Sequence, residues 1–425
     1  MCLYKLEKYP AYKESDVEWL GEIPSEWEVK KIKHISRIKS GDPIVNSELK
    51  DIGKYEVFGG NGLMGYCNKF NVENKNIIIG RVGAYCGNVK YSTTKRWISD
   101  NALILSLDKS EKYDFMYYLL NASKLNNLNS SNAQPLITGG KVLNFHIPYP
   151  PKQEQTKIAQ FLDTKTQQLD RAIQQKEQLI ELLKERRQIL INDAVTKGID
   201  DSVVMRDSGV EWIGEIPEGW EVKKLKYIFT FNKGLTITKE NLVSNGIECV
   251  NYGEIHSKYG FELNPKIHKL KCVNNSYLKL NKKSLLNFGD FIFADTSEDI
   301  EGSGNFTYLN SDIETFAGYH TVIARSKIDI NSRFFAYVFD SLTFRFQIRR
   351  MIKGVKVYSI TQGLLKDIFI WFPLIDEQNK LVKYIDRKTS KIDKAITLQQ
   401  EKITKLKEYK TTLIDSVVTG KVKVS

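Results

Sequence analysis

The sequence predicts an α/β (mixed α+β) fold built twice. Two globular segments are joined by two long helices that pair as an antiparallel coiled coil, giving an internal repeat with pseudo-twofold symmetry. Three observations carry this expectation. Val17-Glu-Trp-Leu-Gly-Glu-Ile-Pro-Ser-Glu-Trp-Glu-Val-Lys-Lys-Ile-Lys33 returns as Val210-Glu-Trp-Ile-Gly-Glu-Ile-Pro-Glu-Gly-Trp-Glu-Val-Lys-Lys-Leu-Lys226, with 13 of 17 positions identical. Glu154-Gln155-Thr-Lys-Ile-Ala-Gln-Phe-Leu-Asp163 is echoed by Glu377-Gln378-Asn-Lys-Leu-Val-Lys-Tyr-Ile-Asp386. A helical rhythm of steps of four and three then follows each of these second segments. The first pair is offset by 193 residues and the second by 223, so the intervening segments differ by 30 residues. A shared frame with divergent filling holds two different readers in equivalent positions.

In chain order, the first globular segment is expected over 1–151. Its short β-branched runs Asn76–Gly80 and Ala102–Leu105 read as strands and Lys112–Leu120 as a helix. Gly59, Gly60, Gly62, Gly65, Gly80, Gly83 and Gly87 mark dense turns. The first spacer helix is expected over 152–197, a stretch without Pro or Gly. Its seam is Leu162, Thr166, Leu169, Ile173, Lys176, Ile180, Leu183, Arg187 and Leu190. The second globular segment is expected over 198–375, with strands Gly289–Ala294 and Tyr319–Ala324 and one helix over Asn331–Ile352. The second spacer helix is expected over 376–425, with the seam Ile385, Thr389, Ile392, Ile396, Gln399, Ile403, Leu406, Lys410 and Leu413. Both seams hold the 3.5-residue period of a coiled coil, and matched polar residues (Lys176 with Gln399, Arg187 with Lys410) cost stability and set register. From Leu162 to Leu190 the seam spans about 42 Å at 1.5 Å per residue. That corresponds to roughly 12 base pairs of B-DNA at 3.4 Å each, a little over one turn. The alternative is a pair of amphipathic helices, each packed on its own globular segment.

The balance of 63 Lys+Arg against 51 Asp+Glu, a net charge of +12, suits a polyanionic partner, nucleic acid before membrane. An inert basic surface is the plain alternative. Five cysteines (Cys2, Cys67, Cys86, Cys249, Cys272), odd in number and without a C-x-x-C pair, exclude a disulfide framework and a zinc ribbon. The N-terminus lacks an apolar signal core, and no apolar run approaches the roughly 18 residues that would span a bilayer. A cytoplasmic protein without membrane contact is expected.

Catalytic constellations are absent from the sequence. Pro150-Pro151 is followed by Lys152 rather than set in an amino-methyltransferase loop. Gly302-Ser-Gly304 lacks a third glycine in register and reads as a turn, and Gly139-Gly140-Lys141 precedes Val142 where a phosphate loop needs Ser or Thr. The five histidines have no metal-ligand spacing. The chain reads as a binder with no cofactor and no metal of its own.

For binding, Lys31, Lys33, Arg37 and Lys39 follow the first frame and Lys224, Lys226 and Lys233 the second; with Lys141, Arg345, Arg349 and Lys356 these are candidates for phosphate contact. Asn61, Arg81, Gln134 and Gln362 are candidates for base edges, because bidentate readout needs Arg, Asn or Gln on a presented loop. Solvated basic faces look the same in sequence. The paired tryptophans, Trp19 with Trp27 and Trp212 with Trp220, are expected to anchor each globular segment onto a helix base rather than to bind a partner.

Taken in order and in duplicate, several motifs resemble the specificity (S) subunit of type I restriction-modification enzymes over nearly the whole chain. They are the paired Trp-x-Gly-Glu-Ile-Pro-x-x-Trp segments, Gly59-Gly-Asn-Gly-Leu-Met-Gly-Tyr66, Ile79-Gly-Arg-Val-Gly-Ala84, Trp97-Ile-Ser-Asp-Asn-Ala102 and Ile147-Pro-Tyr-Pro-Pro-Lys-Gln-Glu-Gln155. The second half matches less tidily, through Ala317-Gly-Tyr-His320 and Phe372-Pro-Leu-Ile-Asp-Glu-Gln378. The resemblance implies two target-recognition domains, each binding one half of a split asymmetric site in double-stranded DNA, with the coiled coil as a ruler. It implies docking of two modification (M) subunits, which carry S-adenosylmethionine and methylate adenine. Restriction (R) subunits would then join to make an ATP- and Mg-dependent nuclease. The S subunit itself would contribute no catalytic residue. A self-sufficient enzyme and a coiled-coil structural adaptor without DNA readout are the competing functions.

Overall fold

The computed structural model describes residues 7–129, 135–352 and 357–424. The chain divides into two compact units, one made of 1–177 with 399–425 and the other of 178–398. Two long helices, Lys152–Lys197 and Ile375–Val418, each contribute one half to each unit. Pro150 and Pro151 precede the first, and Gly198 and Gly420, both in the left-handed region (φ 78° each), follow their C-terminal ends, so the second helix stops at Val418, short of the 425 expected. No described helix is long and apolar enough to cross a membrane.

In the first unit, strands Ser36–Ser40, Ala102–Leu107, Asn76–Gly80 and Val89–Ser92 form an antiparallel sheet in that order. The inner pair is almost wholly apolar and buried, as a covered strand requires, whereas the outer strand Ser36–Ser40 carries exposed Arg37 and Lys39. A second, three-stranded sheet places Tyr55–Gly59 between Gly62–Cys67 and Trp97–Ile98, the latter in parallel. The expected helix appears as Tyr113–Ala122. Its Tyr118 donates to Asp163 of the first long helix at 2.6 Å. The core joins Ile77, Ile79, Leu103 and Leu105 to Leu162 and Leu169 of the first long helix and to Leu413, Val417 and Val418 of the second.

The second unit repeats this plan. Strands Phe229–Lys233, Thr321–Ser326, Phe291–Ala294, Phe306–Leu309 and Phe261–Leu263 form one sheet; Ile247–Val250 lies between Lys271–Val273 and Thr315–Ala317, again parallel to the latter. Its core is aromatic where the first is aliphatic: Phe291 and Phe339 lie 4.8 Å apart, with Phe229, Phe293, Phe306 and Phe335 around them. The single helix expected over Asn331–Ile352 is instead two, Ser332–Asp340 and Leu342–Met351. Ser341 breaks it: its backbone is extended (ψ 149°) and its hydroxyl accepts from Phe344 N, capping a new helix. Tyr337 donates to Asp386 of the second long helix, as Tyr118 does to Asp163.

The helix halves pair antiparallel within each unit. In the first, Lys410 Nζ lies 2.7 Å from Asp170 and Lys176 Nζ donates to Gln399 Oε1 at 3.2 Å, so position rises along one helix as it falls along the other. In the second, Arg187 Nε lies 3.1 Å from Asp393, and Leu190 and Ile385 share a core. Seam residues Leu162, Leu169, Ile173, Ile180, Ile385, Ile403 and Leu413 are buried; Leu183, Leu190, Ile392, Ile396 and Leu406 are half-buried. Arg187 and Lys410 do not meet each other; each reaches an aspartate on the opposing helix, and those two aspartates occupy matched positions in the repeat.

Candidate nucleic-acid interface

The repeated frame performs the same structural task in both units. Glu28–Lys31 pairs with His146–Tyr149, and Glu221–Lys224 with Phe369–Phe372, in the same register. Trp27 Nε1 donates to Glu154 at 2.9 Å and Trp220 Nε1 to Glu377 at 3.1 Å. Gln155 Nε2 donates to Pro150 O and Gln378 Nε2 to Pro373 O, each at 2.9 Å. Trp19 stacks on Phe145 at 5.2 Å and donates to His146 O, while Trp212 lies under the Arg350 guanidinium. Trp27 and Trp220 thus tie each reader to a long helix as expected, whereas Trp19 and Trp212 make contacts within their own reader instead.

On this frame each reader presents a corner where its central strand ends. In the first unit Asn76–Gly80 runs out into Arg81, whose N–H donates to Asn101 O at 3.0 Å and whose carbonyl accepts from Ile137 N at 2.9 Å. In the second, Phe291–Ala294 runs out into Asp295, whose N–H donates to His320 O at 3.0 Å and whose carbonyl accepts from Ile360 N at 2.8 Å. The outer strand turns beside this corner at Gly41 in one unit and Gly234 in the other, with Gly41 N donating to Ala102 O and Gly234 N to Thr321 O. A Cβ at Gly41 would overlap the Ser99 carbonyl, and one at Gly234 the Gly318 carbonyl, so both crossings demand glycine. Thr138 and Thr361 cap the adjoining short helices through Lys141 N and Leu364 N.

The first corner is basic and loop-built. Arg81 Nη1 donates to Ser40 Oγ at 3.1 Å, and its Nε has no partner among the described residues. Asn61 is exposed at the tip of the hairpin joining Tyr55–Gly59 to Gly62–Cys67, and that hairpin packs on the corner because Gly60 and Gly80 leave room for each other's backbone. Lys33, Arg37 and Lys39 are exposed, Lys31 is half-buried, and none has an ion-pair partner among the described residues. The second corner borders a cavity of about 560 Å³ lined by Lys233, Asp295, Thr296, His320 and Gln362. Asp295 Oδ1 accepts from Thr296 Oγ1 at 2.8 Å and lies 3.2 Å from His320 Nδ1.

The structure thus gathers Asn61, Arg81, Arg37 and Lys39 on neighbouring elements of the first reader, and Lys233 with Gln362 in the second. Other expected contacts are engaged within the fold. Lys224 and Lys226 lie 3.1 and 3.6 Å from Asp367, and hydrogen bonding from Lys224 holds that carboxyl below the usual range. The first unit has Asn144 at the matched position, which leaves Lys31 and Lys33 uncompensated. Arg345 turns inward to Asn305 and Asp340, Arg349 holds the Glu301 carbonyl, and Lys141 Nζ caps Leu128 O. Gln134 and Lys356 lie outside the described residues. Asp295, His320 and Asn101 are not among the contacts expected from sequence, although His320 and Asn101 lie in the motifs ending at His320 and Ala102. The signal that could have found them is the frame itself, because extending the 193-residue offset aligns Gly41 with Gly234 and so locates both corners.

A family model described as type I restriction modification DNA specificity domain matches residues 24–184 and 217–408. The type I restriction enzyme MjaVIII specificity subunit of Methanocaldococcus jannaschii is 24% identical over 420 residues, covering 95% of this chain and 94% of its own. The EcoprrI specificity subunit of Escherichia coli is 30% identical over 160 residues, 38% of this chain and 39% of its own. Among solved structures, a chain from a type I R-M system studied for complex assembly and conformational transition aligns with a TM-score of 0.70 at 13% identity, covering 93% of this chain and 98% of that one. The HsdS subunit from Thermoanaerobacter tengcongensis aligns with a TM-score of 0.52 at 13% identity, covering 94% and 98%. At such identity these two likenesses speak for the fold alone.

Proposed function

Because the chain belongs to the type I restriction modification DNA specificity family, we propose that it is the DNA-reading subunit of a restriction-modification assembly and that each unit reads one half of a bipartite, asymmetric site. In this reading the long helices set the gap between halves and dock two M subunits. Those partners supply S-adenosylmethionine and adenine methylation, and R subunits supply the ATP- and Mg-dependent cleavage. The chain itself contributes specificity and assembly, not catalysis, and acts in the cytoplasm where the DNA is. The observation that carries the proposal is the contrast between frame and corner. Trp27–Glu154 and Trp220–Glu377 are the same contact made twice, while the corner each frame supports carries Arg81 in one unit and Asp295 in the other.

Phosphate contacts would come from unpaired cations such as Lys33, Arg37 and Lys39, which supply affinity without sequence information. Base readout would come from the corner and the Asn61 hairpin. The test is a footprint of the chain with its M partner on DNA. A protected, non-palindromic split site with halves about one helical turn apart is expected. One contiguous palindrome would overturn the proposal. Affinity that is absent, or indifferent to salt, would favour the adaptor reading instead.

A further inference from the structure

The two corners are the same place in the fold filled with opposite chemistry. Arg81 and Asp295 end equivalent strands, donate their N–H to equivalent carbonyls and accept from equivalent isoleucine amides. A guanidinium can only donate hydrogen bonds and a carboxylate can only accept them. Asp295 Oδ1 is engaged by Thr296 and His320, and its Oδ2 has no described partner. The Asp295 and His320 side chains are 34% and 57% exposed at the mouth of the cavity that also holds Lys233 and Gln362. A contact this exposed contributes little to stability. His320 nevertheless sits at φ 55°, a left-handed conformation uncommon for a residue other than glycine. That backbone brings its imidazole against the carboxylate, and local strain of this kind concentrates at ligand-binding positions.

We infer that positions 81 and 295 are one specificity position, set to opposite bases in the two readers. Arg81 addresses the O6 and N7 acceptors of guanine. Asp295, oriented by His320, accepts from an exocyclic amine, N4 of cytosine or N6 of adenine, and repels the acceptor edge of guanine. His320 is a positioning residue: it acts through the carboxylate. The inference rests on the reading that each unit binds one DNA half.

The test selects DNA bound by the complex of this chain with its M partner from a library randomised across both halves, at fixed salt. For Asp295→Asn, whose amide both donates and accepts, preference for an amine-bearing base at one position of one half should fall about tenfold to hundredfold, with the other half unchanged. Asp295→Arg should move that position toward guanine, and Arg81→Gln should move one position of the opposite half from guanine toward adenine. His320→Asn, which tolerates the left-handed backbone, should weaken discrimination at the Asp295 position without creating a new preference. The selected base itself distinguishes cytosine from adenine. If Asp295→Asn and Asp295→Arg still select an unchanged split site, the inference fails and the proposed function stands. If the unaltered complex selects no split site, the proposed function fails first. If Asp295→Asn melts normally yet binds no sequence, the contact is not base-specific and the inference again fails. If it melts early, Arg81→Gln and His320→Asn decide, and unchanged preferences in both overturn it.

Discussion

Trp27 donates its indole N–H to the Glu154 carboxylate at 2.9 Å, tying the repeated frame to the first turn of the first long helix. The same carboxylate accepts from Tyr9, whose phenol is pushed well above its ordinary pKa by burial and by Glu154. Trp27→Phe keeps most of the ring's packing and removes one hydrogen bond to a charged acceptor, so it should cost about 1.5–3 kcal/mol. Hydrogen exchange should show faster opening in residues 12–31 with little change in 205–224. Trp220→Phe should give the mirror result through Glu377.

Lys176 and Gln399 face each other across the seam in the first unit, joined at 3.2 Å. A polar seam pair sets register at a cost in stability. Lys176→Leu with Gln399→Leu should therefore raise the melting temperature while loosening the register. Cross-linking between Asp170→Cys and Lys410→Cys reports the register. The disulfide should form in high yield with the polar pair present and in reduced yield when leucines replace the pair and the register slips.

Glu262 in the second unit receives hydrogen bonds from Asn310 and Tyr308 and an ion pair from Arg333, which also holds Asp386 of the second long helix at 2.9 Å. Burial raises its carboxyl pKa, but the Asn310 amide and the Arg333 guanidinium outweigh it, and the net shift is below the ordinary 4.5. A carboxyl depressed in the folded state stabilises fully above its unfolded value and loses that contribution as pH falls through its folded value. The second unit should thus lose stability as pH drops below the carboxyl's ordinary value of 4.5 and through its lower folded value. Glu262→Gln should be less stable at pH 7 and flatter through the acid range, as thermal melts at a series of pH values would show.

Lys33, Arg37 and Lys39 are exposed and lack ion-pair partners among the described residues, whereas Lys224 and Lys226 share Asp367. Replacing the first three with alanine should weaken DNA binding by the M-bound complex almost equally for all sequences. The slope of log affinity against log salt should shrink by about 0.9 for each phosphate no longer neutralised. A changed base preference with an unchanged slope would reassign these residues from phosphate to base readout.

How far the sequence disclosed the molecule depends on the range of the interaction. Local periodicity sufficed for the first long helix and for both seams, because seam positions repeat every three or four residues despite the matched polar positions; the second helix, expected to run to 425, stops at Val418 ahead of the left-handed Gly420. The strand at 76–80 was legible from its three consecutive isoleucines, and the start of the strand at 102–107 from the apolar run Ala102-Leu-Ile-Leu105. The split at Ser341 was hidden because the apolar pattern continues through it, and only a hydroxyl turned back on Phe344 N ends the first helix. Arg345 and Arg349 show the same limit: their spacing marks a common helix face, but not that the face turns toward Asn305 and Glu301. The corners were hidden because Arg81, Asn101 and Ile137 meet only through backbone hydrogen bonds between distant segments. The two glycines that make this meeting possible, Gly41 and Gly234, were in plain view.

Exchanging residues 34–145 for the reader of a related chain and sequencing the methylated motif in cells carrying the M partner tests independent readout most directly. One half of a split motif should change, with the other half and the gap between them retained. A change in both halves, or a contiguous motif before the exchange, would contradict the account.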